Sequence, residues 1–289
     1  MAAKDKIVFV CSECGFDSPK WSGKCPSCGY WNTMKEMKIK SPTAQKEASV
    51  SRRSASGKGI DDSRPLNLSE IETTDEVRID MRDQELNRVL GGGLVQGSIV
   101  LMGGEPGIGK STLTLQTVMR LSDKKVLYIS GEESARQIKM RAQRLAAAEG
   151  GKTLNENLFI LCETSLEKIY KIIEELKPDL VVVDSIQTIS SEYAESSAGS
   201  ITQVRECAAS LLKFAKESGT PVILIGHITK DGSIAGPKIL EHIVDSVIQF
   251  EGDQHYLYRI LRPIKNRFGS TAELGIYEMR ETGLKQVSN

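Results

Sequence analysis

Nowhere in the 289 residues is there an apolar run long enough to cross a membrane. The longest, such as residues 180–183 and 222–225, fall far short of the ~20 residues a spanning helix needs. The N-terminus, MAAKDKIVFVCSEC, lacks the apolar core and cleavage pattern of a secretory signal, which argues against export. The expected location is the cytoplasm, where thiols stay reduced and clustered cysteines point to metal binding instead of disulfides. No internal repeat is visible. Net charge is also absent, but the zero hides an asymmetry: residues 1–60 hold 11 Lys/Arg against 5 Asp/Glu, leaving 27 against 33 in the remainder. A basic arm on an acidic body suits a polyanionic partner, although a solvated flexible arm would show the same balance.

What is present divides into three regions. With 26% charged and 39% hydrophobic residues, the composition is that of a soluble globular protein with one main domain and a small extra module. Residues 1–34 contain four of the six cysteines and both tryptophans. Residues 35–64 have no aromatics and run through Lys, Ser, Ala and Arg, a composition that cannot bury enough apolar surface to fold, so they read as a linker. Residues 65–289 read as a folded domain. Strand and helix patterns alternate there: strands at 98–103, 125–130, 158–162, 180–184 and 221–226, and helices at 110–121, 135–148, 166–176 and 201–217. Unbroken apolar strands such as LVVVD and VILIG predict an α/β fold whose mostly parallel sheet is covered on both faces. Three further strands, near 246–251, 255–263 and 272–278, read as an antiparallel extension.

Residues Gly104, Glu105, Pro106, Gly107, Ile108, Gly109, Lys110 and Ser111 match G-x-x-x-x-G-K-[ST]. They lie between a predicted strand and a predicted helix, the context this phosphate-binding motif requires. Its glycines let successive N–H groups face phosphate oxygens while the helix N-terminus adds positive potential, and Thr112 continues the same turn. Lys110 would reach the β- and γ-phosphates of ATP, and the Ser111 hydroxyl would ligate magnesium. Asp184, ending an apolar strand, suits the acid that holds magnesium through water; an ordinary strand-end cap is the alternative. Hydrolysis also needs a group that orients and deprotonates water. Glu132 and Glu133 follow the strand VLYIS, which should lie near the P-loop strand, and Glu132 is the preferred base. Both acids could instead cap the helix that starts near Ser134.

Cys11-x2-Cys14 and Cys25-x2-Cys28, ten residues apart, form two knuckles that together make a closed tetrahedral four-thiolate site, structural in kind. Zinc is expected, with rubredoxin-like iron as the alternative. So small a module needs the metal to fold. Phe16, Trp21 and Trp31 either pack its small core, the preferred reading, or present a binding face. Cys162 and Cys207 read as buried apolar residues on a strand and a helix.

Taken together, KWSGKCPSCGYWNT, LNRVLGGGLVQGSIVLMGGEPGIGKSTLTLQ, SGEES, VVVDSIQT, GHITKDGSIAGPKILEHIVD and IKNRFGS resemble the bacterial RadA (Sms) family of RecA-like ATPases over nearly the whole chain. That resemblance implies a RecA-like core acting as a hexameric homo-oligomeric ring with ATP at subunit interfaces. It implies translocation on single-stranded DNA, branch migration of recombination intermediates in DNA repair, and partnership with RecA recombinase. By the resemblance His227 senses the γ-phosphate, and Lys265 and Arg267, in Lys-Asn-Arg-Phe-Gly, reach a neighbour's ATP. Two cations two residues apart on an extended segment project on one side, which fits that role, although exposed strand cations would look the same. By the resemblance, polar segment 187–200 and the stretch 230–238 correspond to pore loops, in which Lys230 and Lys238 could meet DNA phosphates, although an ordinary mobile loop with scattered lysines would look the same. The family continues into a C-terminal Lon-protease-like domain, whereas this sequence stops at Asn289. A KaiC-like ATPase or kinase without a DNA role, and a nucleotide-gated adaptor, are the competing readings.

Overall fold

The computed structural model describes residues 6–11, 17–39, 67, 76–148, 150, 155–194, 196–197, 199–227, 240–252 and 257–287. The chain divides into two compact units, Met1–Asp75 and Glu76–Asn289. In the first, β1 (Lys6–Cys11) pairs antiparallel with both β2 (Asp17–Ser18) and β3 (Met34–Ile39), giving the order β2-β1-β3. Residues 35–39, expected to begin the linker, thus extend the ribbon sheet. Among the described residues, which do not include Phe16, the core of this unit is made by Cys11, Cys25 and Met34, with Phe9 and Cys28 packed against them. Trp21 and Trp31 do not join it: they are 59% and 69% exposed. The expectation that they fill the small core is therefore corrected, because the converging cysteines occupy that place themselves.

The second unit opens with β4 (Arg78–Ile79), α1 (Gln84–Leu90) and β5 (Leu94–Val95); β4 and β5 pair antiparallel. Helix α1 went unforeseen, although its start and stop signals are in the sequence. Asp83 caps its N-terminus by accepting from the Leu86 N–H, and Gly91 ends it in the left-handed conformation. Then come β6 (Ile99–Gly104), α2 (Lys110–Met119), β7 (Val126–Ser130), α3 (Ala135–Ala148), β8 (Leu158–Cys162), α4 (Leu166–Leu176) and β9 (Leu180–Asp184). A single 3₁₀ turn (Ile186–Thr188) precedes α5 (Ile201–Ser218), and β10 (Val222–His227), β11 (Ser246–Glu251), β12 (Tyr258–Asn266), β13 (Gly275–Arg280) and β14 (Gly283–Gln286) complete the unit.

One nine-stranded sheet runs β14-β13-β12-β11-β6-β10-β9-β7-β8. Strand alternation sends Val100, Met102, Val126, Tyr128, Leu180 and Val182 into one apolar cluster with α2 and α3. It sends Ile99, Leu101, Leu127, Ile129, Val181 and Val183 into another with α4 and α5. Both faces are covered, so parallel strands read as continuous apolar runs. Each such side chain contributes about 1.5–3 kcal/mol by leaving water.

The expected antiparallel extension needs one correction. β11 is parallel to β6, and only β12, β13 and β14 are antiparallel. Asp245 explains the difference. Its backbone N–H donates to the Ile99 carbonyl (3.0 Å) and its carboxylate accepts from the Ile99 N–H (3.0 Å), which lays the following strand alongside β6 in the same direction. Cys207 is buried as expected, but Cys162 is exposed, since β8 is the edge strand of the sheet. Among the described residues no helix is long and apolar enough to cross a membrane.

Candidate functional site

Strand register brings the expected site residues to one edge. Gly104 at the end of β6 stands level with His227 at the end of β10, and Asp184 at the end of β9 pairs with Ile225 on one side and Ser130 on the other. The carboxyl ends of parallel strands are where ligands bind in such sheets. The P-loop turns into α2 at Gly109, whose φ of 116° only glycine adopts readily and where a Cβ would stand 2.8 Å from Met279 Cε. No side chain caps this helix, so its first N–H groups stay available to an anion.

Lys110 folds back over the loop. Its ammonium donates to the carbonyls of Gly104 (2.8 Å) and Glu105 (2.9 Å) and lies 3.4 Å from Nδ1 of His227. Burial pushes its pKa down to about 8, against the pull of the Asp184 and Glu132 charges. The other ring nitrogen of His227, Nε2, faces Glu132 Oε1 at 3.2 Å. The same Glu132 oxygen accepts from the Ser185 hydroxyl (2.6 Å). Burial raises the Glu132 pKa, but the bonds from Ser185 and His227, with the His227 and Lys110 charges, outweigh it and hold the carboxyl below its ordinary range.

The two adjacent acids therefore part company. Glu133 is tied by an ion pair to Arg141 on α3, and its N–H donates to Ser130 Oγ (3.0 Å). Neither acid is needed as a helix cap: Ser134 and Gln137 cap each other reciprocally, Gln137 N donating to Ser134 Oγ and Ser134 N to Gln137 Oε1. Strand β7 is not next to the P-loop strand, since β10 and β9 intervene. Glu132 reaches the site through the turn that follows β7. That turn passes so close to the 3₁₀ turn that a Cβ on Gly131 would stand 1.9 Å from Thr188 Oγ1.

Asp184 is 9% exposed, and burial raises its pKa, partly countered by hydrogen bonds from Tyr128 and Ser111. Tyr128 Oη donates to Oδ2 at 2.5 Å. A serine hydroxyl beside a carboxylate offers the hard oxygen donors magnesium takes, so Ser111 and Asp184 fit that ion. Tyr128 and Ser185 were missed in the sequence. A hydroxyl inside the buried strand VLYIS was the available signal, because a buried tyrosine seeks a polar partner.

Lys265 and Arg267 lie elsewhere. Asn266, between them, pairs with Ser246, which is level with Val100, four residues down β6 from Gly104, or about 13 Å. Both reach the same neighbouring segment, residues 241–245, although β12 ends at Asn266 and Arg267 lies beyond it. The Lys265 ammonium donates to the carbonyls of Glu241 (2.5 Å) and Val244 (2.7 Å); burial and the Arg267 charge lower its pKa. Arg267, 56% exposed, pairs with buried Asp245 at 3.3 Å, which also holds Lys216 at 2.8 Å. Lys230 and Lys238 lie outside the described residues, as does Cys14.

In the ribbon, the sulfurs of Cys11, Cys25 and Cys28 all lie within 4.8 Å of one another, and Cys11 and Cys28 are 3.6 Å apart. Tetrahedral zinc with bonds of about 2.3 Å sets sulfurs about 3.8 Å apart, so this geometry fits a thiolate-bound metal.

Comparison with known proteins agrees with this layout. The family described as AAA domain matches residues 63–233, and that described as rubredoxin metal binding domain matches residues 9–36. Proteins named DNA repair protein RadA are 52% identical in Halalkalibacterium halodurans and Bacillus subtilis, over 99% of this chain, and 48% identical in Aquifex aeolicus, over 98%. This chain spans about 60% of the length of those relatives. The crystal structure of a KaiC-like protein from Pyrococcus horikoshii, 21% identical, superposes with a TM-score of 0.58 over 74% of this chain and 100% of that one, which shows a shared fold. Since the AAA-domain match takes in more than half of the sequence, the chain belongs to the AAA-domain family.

Proposed function

We propose that this chain hydrolyses ATP with magnesium, that single-stranded DNA stimulates the hydrolysis, and that the work serves DNA repair. The observation that carries the catalytic part is the Lys110–His227–Glu132–Ser185 chain of polar contacts, which leaves Glu132, and not Glu133, facing the phosphate loop. Nucleotide phosphates would draw the Lys110 ammonium from the Gly104 and Glu105 carbonyls onto themselves. Magnesium held by Ser111 and Asp184 would supply charge neutralisation. His227, bridging Lys110 and Glu132, would then register the γ-phosphate and pass its presence to the residue that positions water. A carboxylate of depressed pKa orients water more than it deprotonates it, which suits a reaction dominated by positioning and electrostatics.

Lys265 and Arg267 stand too far from their own P-loop to serve it, and Arg267 is solvent-exposed, so we assign them to a neighbouring subunit's nucleotide in a ring. The relatives' name, DNA repair protein RadA, supports the DNA-directed part of the reading. Branch migration and a recombinase partner such as RecA follow as proposals from that likeness. The thiolate cluster would hold zinc as a structural ion.

ATP turnover measured with and without single-stranded DNA, in wild type and Glu132→Gln, tests the proposal. The expected result is DNA stimulation in wild type and a loss of about 10²–10⁴ in kcat in the variant with nucleotide binding retained. Turnover indifferent to DNA would leave a P-loop ATPase without a DNA role. Full activity in Glu132→Gln would remove Glu132 from the role of positioning water.

A further inference from the structure

The ribbon carries an aromatic face that the ATPase reading does not use. Trp21, Tyr30 and Trp31 are 59%, 61% and 69% exposed. Small soluble modules seldom leave three large rings in water without a use. The backbone holds the two indoles together. Cys25 N donates to the Tyr30 carbonyl (2.9 Å) and Asn32 N to the Gly23 carbonyl (2.8 Å), and Lys24 bridges Trp31 across the hairpin. Gly23 lies under both indoles: the point where its Cβ would stand is 3.6 Å from Trp21 and 3.8 Å from Trp31. The two rings are therefore neighbours on one rigid hairpin, itself anchored by Cys25 in the thiolate cluster.

The charge on the hairpin itself has one sign, with acids only beyond it at Asp17 and Glu36. From Ser18 to Lys35 the sequence contains Lys20, Lys24 and Lys35 and no acidic residue. Lys20 and Lys24 are exposed, and the Lys24 ammonium lies 5.8 Å from the Trp31 ring centroid. Aromatic planes interleaved with lysines match the chemistry of an unpaired nucleic-acid strand. Bases stack on the rings, phosphates meet the ammonium groups, and no base edge is read. A duplex, its bases already stacked, offers the rings nothing. A protein partner of this face would need acidic side chains for the lysines, whereas a single strand brings both flat bases and regular negative charge.

We propose that Trp21 and Trp31, with Lys24 beside them and exposed Lys20 and Tyr30 flanking them in sequence, form a stacking platform for unpaired DNA, separate from any contact made by the ATPase unit and independent of nucleotide. It adds a DNA contact to the proposed function without resting on ATP hydrolysis.

Trp21 and Trp31 are the chain's two tryptophans, so tryptophan emission reports on this face alone. The test titrates the full metal-loaded chain, without nucleotide, with oligothymidylate, following tryptophan emission and, in parallel, the anisotropy of a labelled copy. Quenching that saturates with the anisotropy change, weakens with salt, and is absent with duplex is expected. Trp31→Ala should weaken binding about 5- to 100-fold, and Trp31→Phe should restore most of it with metal content unchanged. Emission unmoved while anisotropy reports bound oligonucleotide would overturn the platform, whatever else then moved it, a protein partner included. Equal quenching by duplex would overturn it too. Neither outcome touches the DNA-stimulated turnover of the ATPase unit, so the two readings fail separately.

Discussion

Replacing Lys110 with methionine should abolish turnover and yet make the nucleotide-free protein more stable. Lys110 is 3% exposed, and burial takes its pKa from 10.5 to about 8. A downward shift of that size corresponds to about 3 kcal/mol of disfavoured charge in the folded state. The pocket opens to solvent where phosphates enter, so we discount this by about half. Methionine also forfeits the bonds to the Gly104 and Glu105 carbonyls, which water entering the pocket replaces in part, at a cost of about 1 kcal/mol in total. The net expectation is about 0.5 kcal/mol of added stability near neutral pH, or a Tm rise of about 1–2 °C. The sign with pH is fixed. The folded pKa lies below the unfolded one, so wild type carries the full penalty below pH 8 and sheds it as pH rises toward 10.5. Urea unfolding of both proteins at neutral pH and near pH 10, without nucleotide, measures this. A variant less stable than wild type at neutral pH, or a difference that does not shrink on going alkaline, would refute the reasoning. The stability–function conflict is itself the mark of a site built for a ligand.

Three further outcomes are expected. Tyr128→Phe removes the donor to Asp184 without leaving a cavity, so urea unfolding should show a loss of about 1.5–3 kcal/mol. The Asp184 pKa, already raised by burial, should rise further and move the acid limb of the pH–activity profile to higher pH. Cys25→Ser should lose bound metal, read by elemental analysis, while basal ATP turnover survives, since the two units have separate cores. Mixing Arg267→Ala with Lys110→Ala chains should restore part of the activity that either lacks alone, because only mixed assemblies contain an intact interface; no complementation would argue against a shared site.

The phosphate loop, the cysteine knuckles and the parallel strands were legible in the sequence because each rests on local rules: glycines that curl backbone onto anions, thiolates paired at CxxC spacing, and apolar runs covered on both faces. Helix α1 was equally legible from Asp83 and Gly91, though overlooked. Strand order was not. No local pattern says that two strands separate β7 from β6, or that Asp245 locks β11 parallel to it; those depend on pairings between residues tens to more than a hundred positions apart. The choice between Glu132 and Glu133 is of the same kind. Adjacent in sequence and identical in type, they differ only because folding brings Arg141 to one and Ser185, His227 and Lys110 to the other. The tryptophans show the limit most plainly: composition suggested a core, and only the convergence of the cysteines left the rings outside. The sequence by itself determined which chemistry the chain carries. The tertiary structure decided which carboxylate, tyrosine and aromatic rings stand where the proposed chemistry would use them, because burial and charge at each are set by neighbours remote along the chain.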